Sequence, residues 1–233
     1  MTGGLVRKKR ESKEDLKKRA GKIVRTLRKR YPGATTALRF SSPHELLVAT
    51  VLAAQCTDKK VNEVTRVLFR KYRSPADFAK ARRSTLEKII RPTGFFKNKS
   101  KSIIALSKDI VSRHAGRVPG NIDDLVNLSG VGRKTANVVL AGAFGKPGVI
   151  VDTHMIRIAN RLGFTDKQDP AKIEFDLMDI LPKKVWGEFS FMIVLHGREV
   201  CRARNPLCHI CTMEKWCPAS GLRSSAPGLR SVT

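Results

Sequence analysis

The chain has 233 residues, 41% hydrophobic and 28% charged, enough to bury a core as one domain or two small ones. Forty-six Lys and Arg stand against 20 Asp and Glu, a net charge of +26 that points to a polyanion, nucleic acid first, with a ribosome-associated factor as the plainer alternative. No run approaches the roughly 18 apolar residues of a membrane span, and residues 1–6 are too short for a secretory signal, so a cytoplasmic protein without a membrane partner is expected.

In chain order, residues 1–20 read as a flexible basic arm, and residues 1–39 carry a net +11, from fourteen basic and three acidic residues. Leu16, Ala20, Ile23, Val24 and Leu27 then give helical spacing up to Pro32. Ser42-Pro43-His44-Glu45 is a helix start with a capping box, and Leu46, Leu47, Ala49, Val51 and Leu52 are its expected buried face. Ser84-Thr85-Leu86-Glu87 repeats that signal. Further helices are expected near 58–72, 98–113, 122–128, 133–143, 153–162, 171–181 and 184–196. Strand alternation is nearly absent, so the fold class is all-α. Residues 36–146 read as one unit. After Lys146-Pro147-Gly148 a second helical group leads to the cysteines, and 218–233 is an expected disordered tail.

The most informative stretch is Leu128-Ser129-Gly130-Val131-Gly132-Arg133-Lys134-Thr135. Gly130 and Gly132 can take backbone conformations closed to other residues, so successive N–H groups can cradle a phosphate. The helix that starts near Arg133 adds its free N–H groups and its positive dipole end, and places the amine of Lys134 beside a nucleic-acid backbone. Val151-Asp152-Thr153-His154 supplies a carboxylate at another helix start. Asp152 suits a plain helix cap as well, and His154 suits a local hydrogen bond or a phosphate contact.

Five cysteines are an odd number, and four fall within seventeen residues: Cys201, Cys208, Cys211 and Cys217. That packing suits a metal site better than disulfides. One Cys-x-x-Cys flanked by single cysteines can wrap an iron–sulfur cluster, with zinc and free thiols as alternatives. Arg198, Arg202 and Arg204 interleave with this loop and suggest a basic surface. Cys56, in an apolar helical context, reads as an inert buried thiol.

These residues together resemble the endonuclease III group of helix-hairpin-helix DNA glycosylases. Leu-x-Gly-Val-Gly-Arg-Lys-Thr-Ala-Asn-Val-Val-Leu at 128–140, Val-Asp-Thr-His at 151–154 and the cysteine spacing occur in the family's order. The resemblance runs from about residue 20 to 217. It implies two helical domains with DNA in the cleft between them: a six-helix barrel, 36–146, carrying the hairpin, and a cluster domain made of 21–35 and 147–217. It implies a [4Fe-4S] cofactor on Cys201, Cys208, Cys211 and Cys217. It also implies a monomer that acts on double-stranded DNA containing damaged pyrimidines or abasic sites, nucleoid-associated if the source is bacterial. Lys134 would attack the sugar C1′ to give a Schiff base and then β-elimination, with Asp152 as base or electrostatic stabiliser. DNA contacts are expected from Gln55, Phe95, Gly130, Val131, Gly132, Arg133, His154 and Arg202. Ala54-Gln55-Cys56-Thr57-Asp58 is similar to the family's segment that enters DNA at the lesion, and Phe95 stands where a smaller aliphatic residue commonly wedges into the duplex; otherwise Gln55 is a polar helix-end residue and Phe95 a core phenylalanine. Ser129 replaces the family's usual proline. Two rivals are a monofunctional adenine glycosylase, which would lack Lys134, and a non-catalytic hairpin module.

Overall fold

The computed structural model describes residues 11–220. Eleven α-helices and no strand are present among them: α1 (Lys13–Arg30), α2 (Pro43–Leu52), α3 (Asp58–Lys71), α4 (Pro75–Ala79), α5 (Arg83–Ile90), α6 (Phe96–Arg113), α7 (Ile122–Val126), α8 (Arg133–Ala143), α9 (Thr153–Arg161), α10 (Pro170–Ile180) and α11 (Trp186–Glu199). The chain divides into two compact units. One comprises Thr35–Ile150 with Trp186–Phe191, and the other comprises Val151–Val185, the remainder of α11 with the cysteine region, and the N-terminal segment up to Ala34.

In the first unit, α2 is the central helix. Its start is capped by Ser42, whose hydroxyl accepts the Glu45 N–H, while the Glu45 carboxylate reaches back to the Ser41 N–H rather than closing a box on Ser42. His44, Leu46, Leu47, Val48, Ala49 and Leu52 are all buried, so α2 is apolar nearly all round and packs against α3, α6 and α8. Val48, absent from the expected face, is fully buried, whereas Val51 is only half-buried, because α2 meets neighbours on several sides. His44 lies edge-on to Phe78 with ring centroids 5.1 Å apart, and its Nε2 is 3.1 Å from the Ser107 hydroxyl. Burial pulls its pKa down to about 4.

Two local expectations need correction. The Ser84–Glu87 capping box does not form: α5 begins at Arg83 with no side-chain cap, and Glu87 instead accepts from Arg83 and Ser100. Helix α4 lies outside the expected set, since five residues are too few for periodicity to show. Its signal is a true capping box, with Ser74 accepting from the Asp77 N–H and Asp77 from the Ser74 N–H.

The boundary between the units falls at Ile150 rather than 146. Asn137 donates to the Val149 carbonyl at 2.8 Å, and the Ile150 N–H donates to Ser190 at 2.9 Å. Those bonds tie both 147–150 and the start of α11 to the first unit.

In the other unit, α1 begins at Lys13, inside the segment expected to be a flexible arm. Ser12 caps it, Glu14 and Asp15 occupy its first turn, and Arg28, Lys29 and Arg30 its last, all favourable to the helix dipole. Arg19 then fixes it: its guanidinium donates to the Leu162 and Trp216 carbonyls at 2.7 and 3.1 Å, pairs with Glu11, and lies over the Phe164 ring. The arm's residues 1–10 and the tail's 221–233 lie outside the described residues. Within the expected tail, Ser220 is buried and donates to Glu214. No helix among the described residues is long and apolar enough to cross a membrane.

Candidate functional site

The hairpin joins α7 to α8. Gly130 has φ +73°, and a Cβ there would lie 2.9 Å from the Ser102 hydroxyl, so conformation and space both require glycine. Gly132 departs from the expectation: its backbone is extended, φ −87° and ψ 169°, and a Cβ added there would have nothing within 4 Å. Its glycine instead leaves open space beside the first turn of α8. That turn has no side-chain cap, so its N–H groups can serve an anion. Lys134 is the second residue of α8 and exposed, as is Arg133. Val131, expected to contact DNA, has a buried side chain and offers only its main chain there, because it anchors the hairpin in the apolar interior.

The hairpin is held from α6. The Ser129 N–H donates to Asp109 Oδ2 at 2.8 Å, a bond that proline could not make. Arg113 pairs with the same carboxylate at 3.0 Å and donates to the Asn127 carbonyl at 3.0 Å. Burial alone would push the Asp109 carboxyl up. The hydrogen bonds from Ser129 and the Arg113 guanidinium outweigh it and hold the group below its ordinary value.

Gln55 and Phe95 occupy two connections of the same unit, α2 to α3 and the residue before α6. Both have left-handed backbones, φ +54° and +48°, which non-glycine residues adopt at a cost. Gln55 is exposed and Phe95 is 63% exposed, so Phe95 is not a core residue. Cys56 is half-buried in the turn between α2 and α3, outside any helix. Its position on a connection rather than a packed helical face is what the apolar flanks concealed.

In the other unit, Asp152 caps α9: its Oδ1 accepts the Met155 N–H at 2.8 Å. Half-buried His154 lies 3.0 Å from Arg157 through Nδ1, a local contact. The four cysteines line one partly open pocket, walled also by Ile158, Leu162, Val200 and Met213. Among the described residues no His, Cys, Asp or Glu side chains form a group able to hold a metal ion. Four thiols on one pocket wall are a donor set that both zinc and iron–sulfur clusters accept.

Side chains unforeseen from the sequence surround these sulfurs. Arg161 donates to Cys201 Sγ at 3.3 Å and to the Arg202 and Ala203 carbonyls at 2.7 and 2.9 Å. Arg157, one turn earlier on α9, donates to the Cys201 carbonyl at 2.9 Å. His196 Nε2 lies 3.6 Å from Cys211 Sγ, and its Nδ1 is 3.3 Å from the Tyr31 hydroxyl. Burial pushes the Cys211 thiol up to about 11 and raises Cys217 as well. Arg202 itself is exposed.

The structure therefore gathers residues 130–134 in one hairpin, and sets Gln55 and Phe95 elsewhere in that unit. Asp152, His154, Arg202 and the cysteines belong to the other unit. The arginine spacing at 157 and 161 was visible in the sequence, but nothing there showed which face met the cysteines.

Residues 48–183 match the family model described as "HhH-GPD superfamily base excision DNA repair protein". The chain is 49% identical over 205 residues to the endonuclease III of Synechocystis sp., covering 88% of this chain and 94% of that protein. It is 41% identical to the Haemophilus influenzae endonuclease III over 84% of this chain and 92% of that one. Among solved structures, a trapped endonuclease III–DNA covalent intermediate aligns with a TM-score of 0.83 at 40% identity, over 89% of this chain and 98% of that chain. Hairpin, all-helical architecture and sequence agree: the chain belongs to the endonuclease III family of base excision DNA repair enzymes.

Proposed function

We propose that this base excision repair glycosylase is bifunctional: it releases oxidised, ring-saturated pyrimidines from duplex DNA and cuts the strand 3′ to the lesion. The observation that carries the reading is Lys134, an exposed amine on the second residue of α8 directly after an uncapped, glycine-containing hairpin. That a similar endonuclease III has been trapped as a covalent intermediate with DNA supports a covalent route.

A base within the stack is out of reach, so the damaged nucleotide is extruded, with Gln55 and Phe95 entering the gap it leaves. Main-chain N–H groups at 130–134 hold the phosphate. The Lys134 Nζ, neutral at the moment of attack, bonds to C1′ while the glycosidic bond breaks, its electron pair leaving with the base, which takes up a proton. Ring opening gives a protonated Schiff base. Loss of a C2′ proton then expels the 3′ phosphate, and water releases Lys134. Asp152 uses Oδ1 as the cap of α9, and its other oxygen is the proposed partner for positive charge on the sugar or the proton from Lys134.

Cys201, Cys208, Cys211 and Cys217 are the proposed ligands of a [4Fe-4S] cluster. Their common cavity and the Arg161 N–H aimed at Cys201 Sγ support it. Buried thiols resist ionisation, and bound iron supplies the positive charge that holds them as thiolates. The proposed role of these ligands is to fold the 201–217 loop and present Arg202 to phosphate. A monomer in the cytoplasm, at the nucleoid in a bacterium, is the proposed setting.

Borohydride trapping on duplexes carrying thymine glycol or an abasic site tests the reading. An adduct with the native chain that vanishes in Lys134→Ala is expected. Base release without any adduct would replace this reading with monofunctional hydrolysis.

A further inference from the structure

Lys99 is 5% exposed, one of few buried charges among the described residues, and its two hydrogen-bond partners are main-chain carbonyls rather than carboxylates. Its Nζ donates to the Leu52 carbonyl at 2.8 Å and the Thr93 carbonyl at 2.7 Å. Each partner ends a helical segment: Leu52 closes α2, and Thr93 closes the short 3₁₀ turn Arg91–Thr93. Carbonyls at helix ends have no partner within their own helix and carry the negative dipole end, so a cation suits both.

Each of these carbonyls stands just ahead of a strained tip. Three residues after Leu52 comes Gln55, and two residues after Thr93 comes Phe95, two of the three exposed non-glycine residues at positive φ in this unit, the third being Ala115. The Lys99 main-chain N–H also donates to the Phe95 carbonyl at 3.1 Å. The main-chain bond belongs to the first turn of α6, while the side chain of this one residue holds the chain just before each of the two tips. Strained backbones persist only where the surroundings over-determine them.

We infer that Lys99 is a positioning residue for lesion recognition, its buried ammonium holding the Gln55 and Phe95 tips in register so that both enter the duplex together. The inference rests on the proposed gap-filling role of those tips. Lys99 touches neither sugar nor base. The step it governs is the one that an unpaired strand does not need, because a single strand has no opposite base and no gap to fill.

The discriminating quantity is the ratio of strand cleavage on an abasic duplex to that on the same abasic oligonucleotide as a single strand. Lys99→Met keeps the aliphatic stem and removes the donors, and the ratio is expected to fall about tenfold, the size of one lost stacking contact. Lys99→Gln, which retains an amide donor, is the second variant should Lys99→Met not fold, with a smaller fall expected. Equal loss on both substrates, the mark of general destabilisation, would overturn the inference, as would an unchanged ratio. Gln55→Ala and Phe95→Ala run in parallel. A lowered ratio in these alone sinks only the role of Lys99; an unchanged ratio in these removes the gap-filling reading and the inference with it.

Discussion

The Ser129 main-chain N–H and the Asp109 carboxylate meet at 2.8 Å across twenty residues of sequence, fixing the hairpin to the C-terminal part of α6. A hydrogen bond to a charged acceptor is worth about 1.5–3 kcal/mol. Asp109→Ala is expected to lower unfolding free energy by about 1–2 kcal/mol and weaken binding to abasic duplex. Ser129→Pro removes the same donor, and should reproduce much of the loss. Because the Asp109 pKa is depressed on folding, its contribution is present above the unfolded carboxylate value and disappears as pH falls through the folded one. Denaturant titrations from neutral pH into the acid range would show this, and a variant with native stability throughout would refute the anchor.

The two hairpin glycines should behave oppositely. Gly130→Ala forces a Cβ onto Ser102 at positive φ and is expected to cost about 1–3 kcal/mol of stability. Gly132→Ala meets no protein atom, so its melting temperature should stay near native while DNA affinity drops, since the new methyl occupies space left for phosphate. Thermal melts and equilibrium binding separate the cases. Native affinity in Gly132→Ala would argue that nothing approaches there.

His44 gives the first unit a pH limb. Its folded pKa of about 4 lies below its ordinary 6.5, so the unfolded chain binds the proton more readily. Its contribution is complete above about pH 6.5, declines as pH falls, and levels off below about 4, roughly 3 kcal/mol in all at about 1.4 kcal/mol per unit. His44→Leu should flatten the difference in unfolding free energy between pH 7 and pH 5. A variant with the native slope would place the effect on other groups.

With a net charge of +26, affinity for duplex should fall steeply with salt, by a log–log slope of about −0.9 for each phosphate neutralised. Arg202→Ala is expected to reduce that slope by about one if the residue meets a phosphate. Fluorescence anisotropy at several salt concentrations measures it directly.

Chelation of the proposed cluster should leave the helical circular dichroism largely intact and open 201–217 to protease. Arg161→Met, which loses the donor to Cys201 Sγ, should release iron faster than the native chain. Identical iron loss in both would deny Arg161 that role.

The sequence by itself determined what depends on near neighbours. Caps at Ser42 and Asp152 act within three residues, helical spacing acts within one turn, and Gly130-Val131-Gly132-Arg133-Lys134 carries its hairpin in five consecutive residues. Such signals are readable because the interacting atoms are close along the chain. Where a local signal misled, as at Ser84 and Gly132, the structure gave the position to a different partner or to open space. Only the tertiary structure decided the supports: Lys99 on Leu52 from 47 residues away, Asp109 under Ser129 from 20, Arg161 on Cys201 from 40. A lysine, an aspartate and an arginine on helices read alike as solvated charge until packing shows which carbonyl, N–H or sulfur lies opposite. That pairing depends on how helices meet, and no spacing within one helix encodes it.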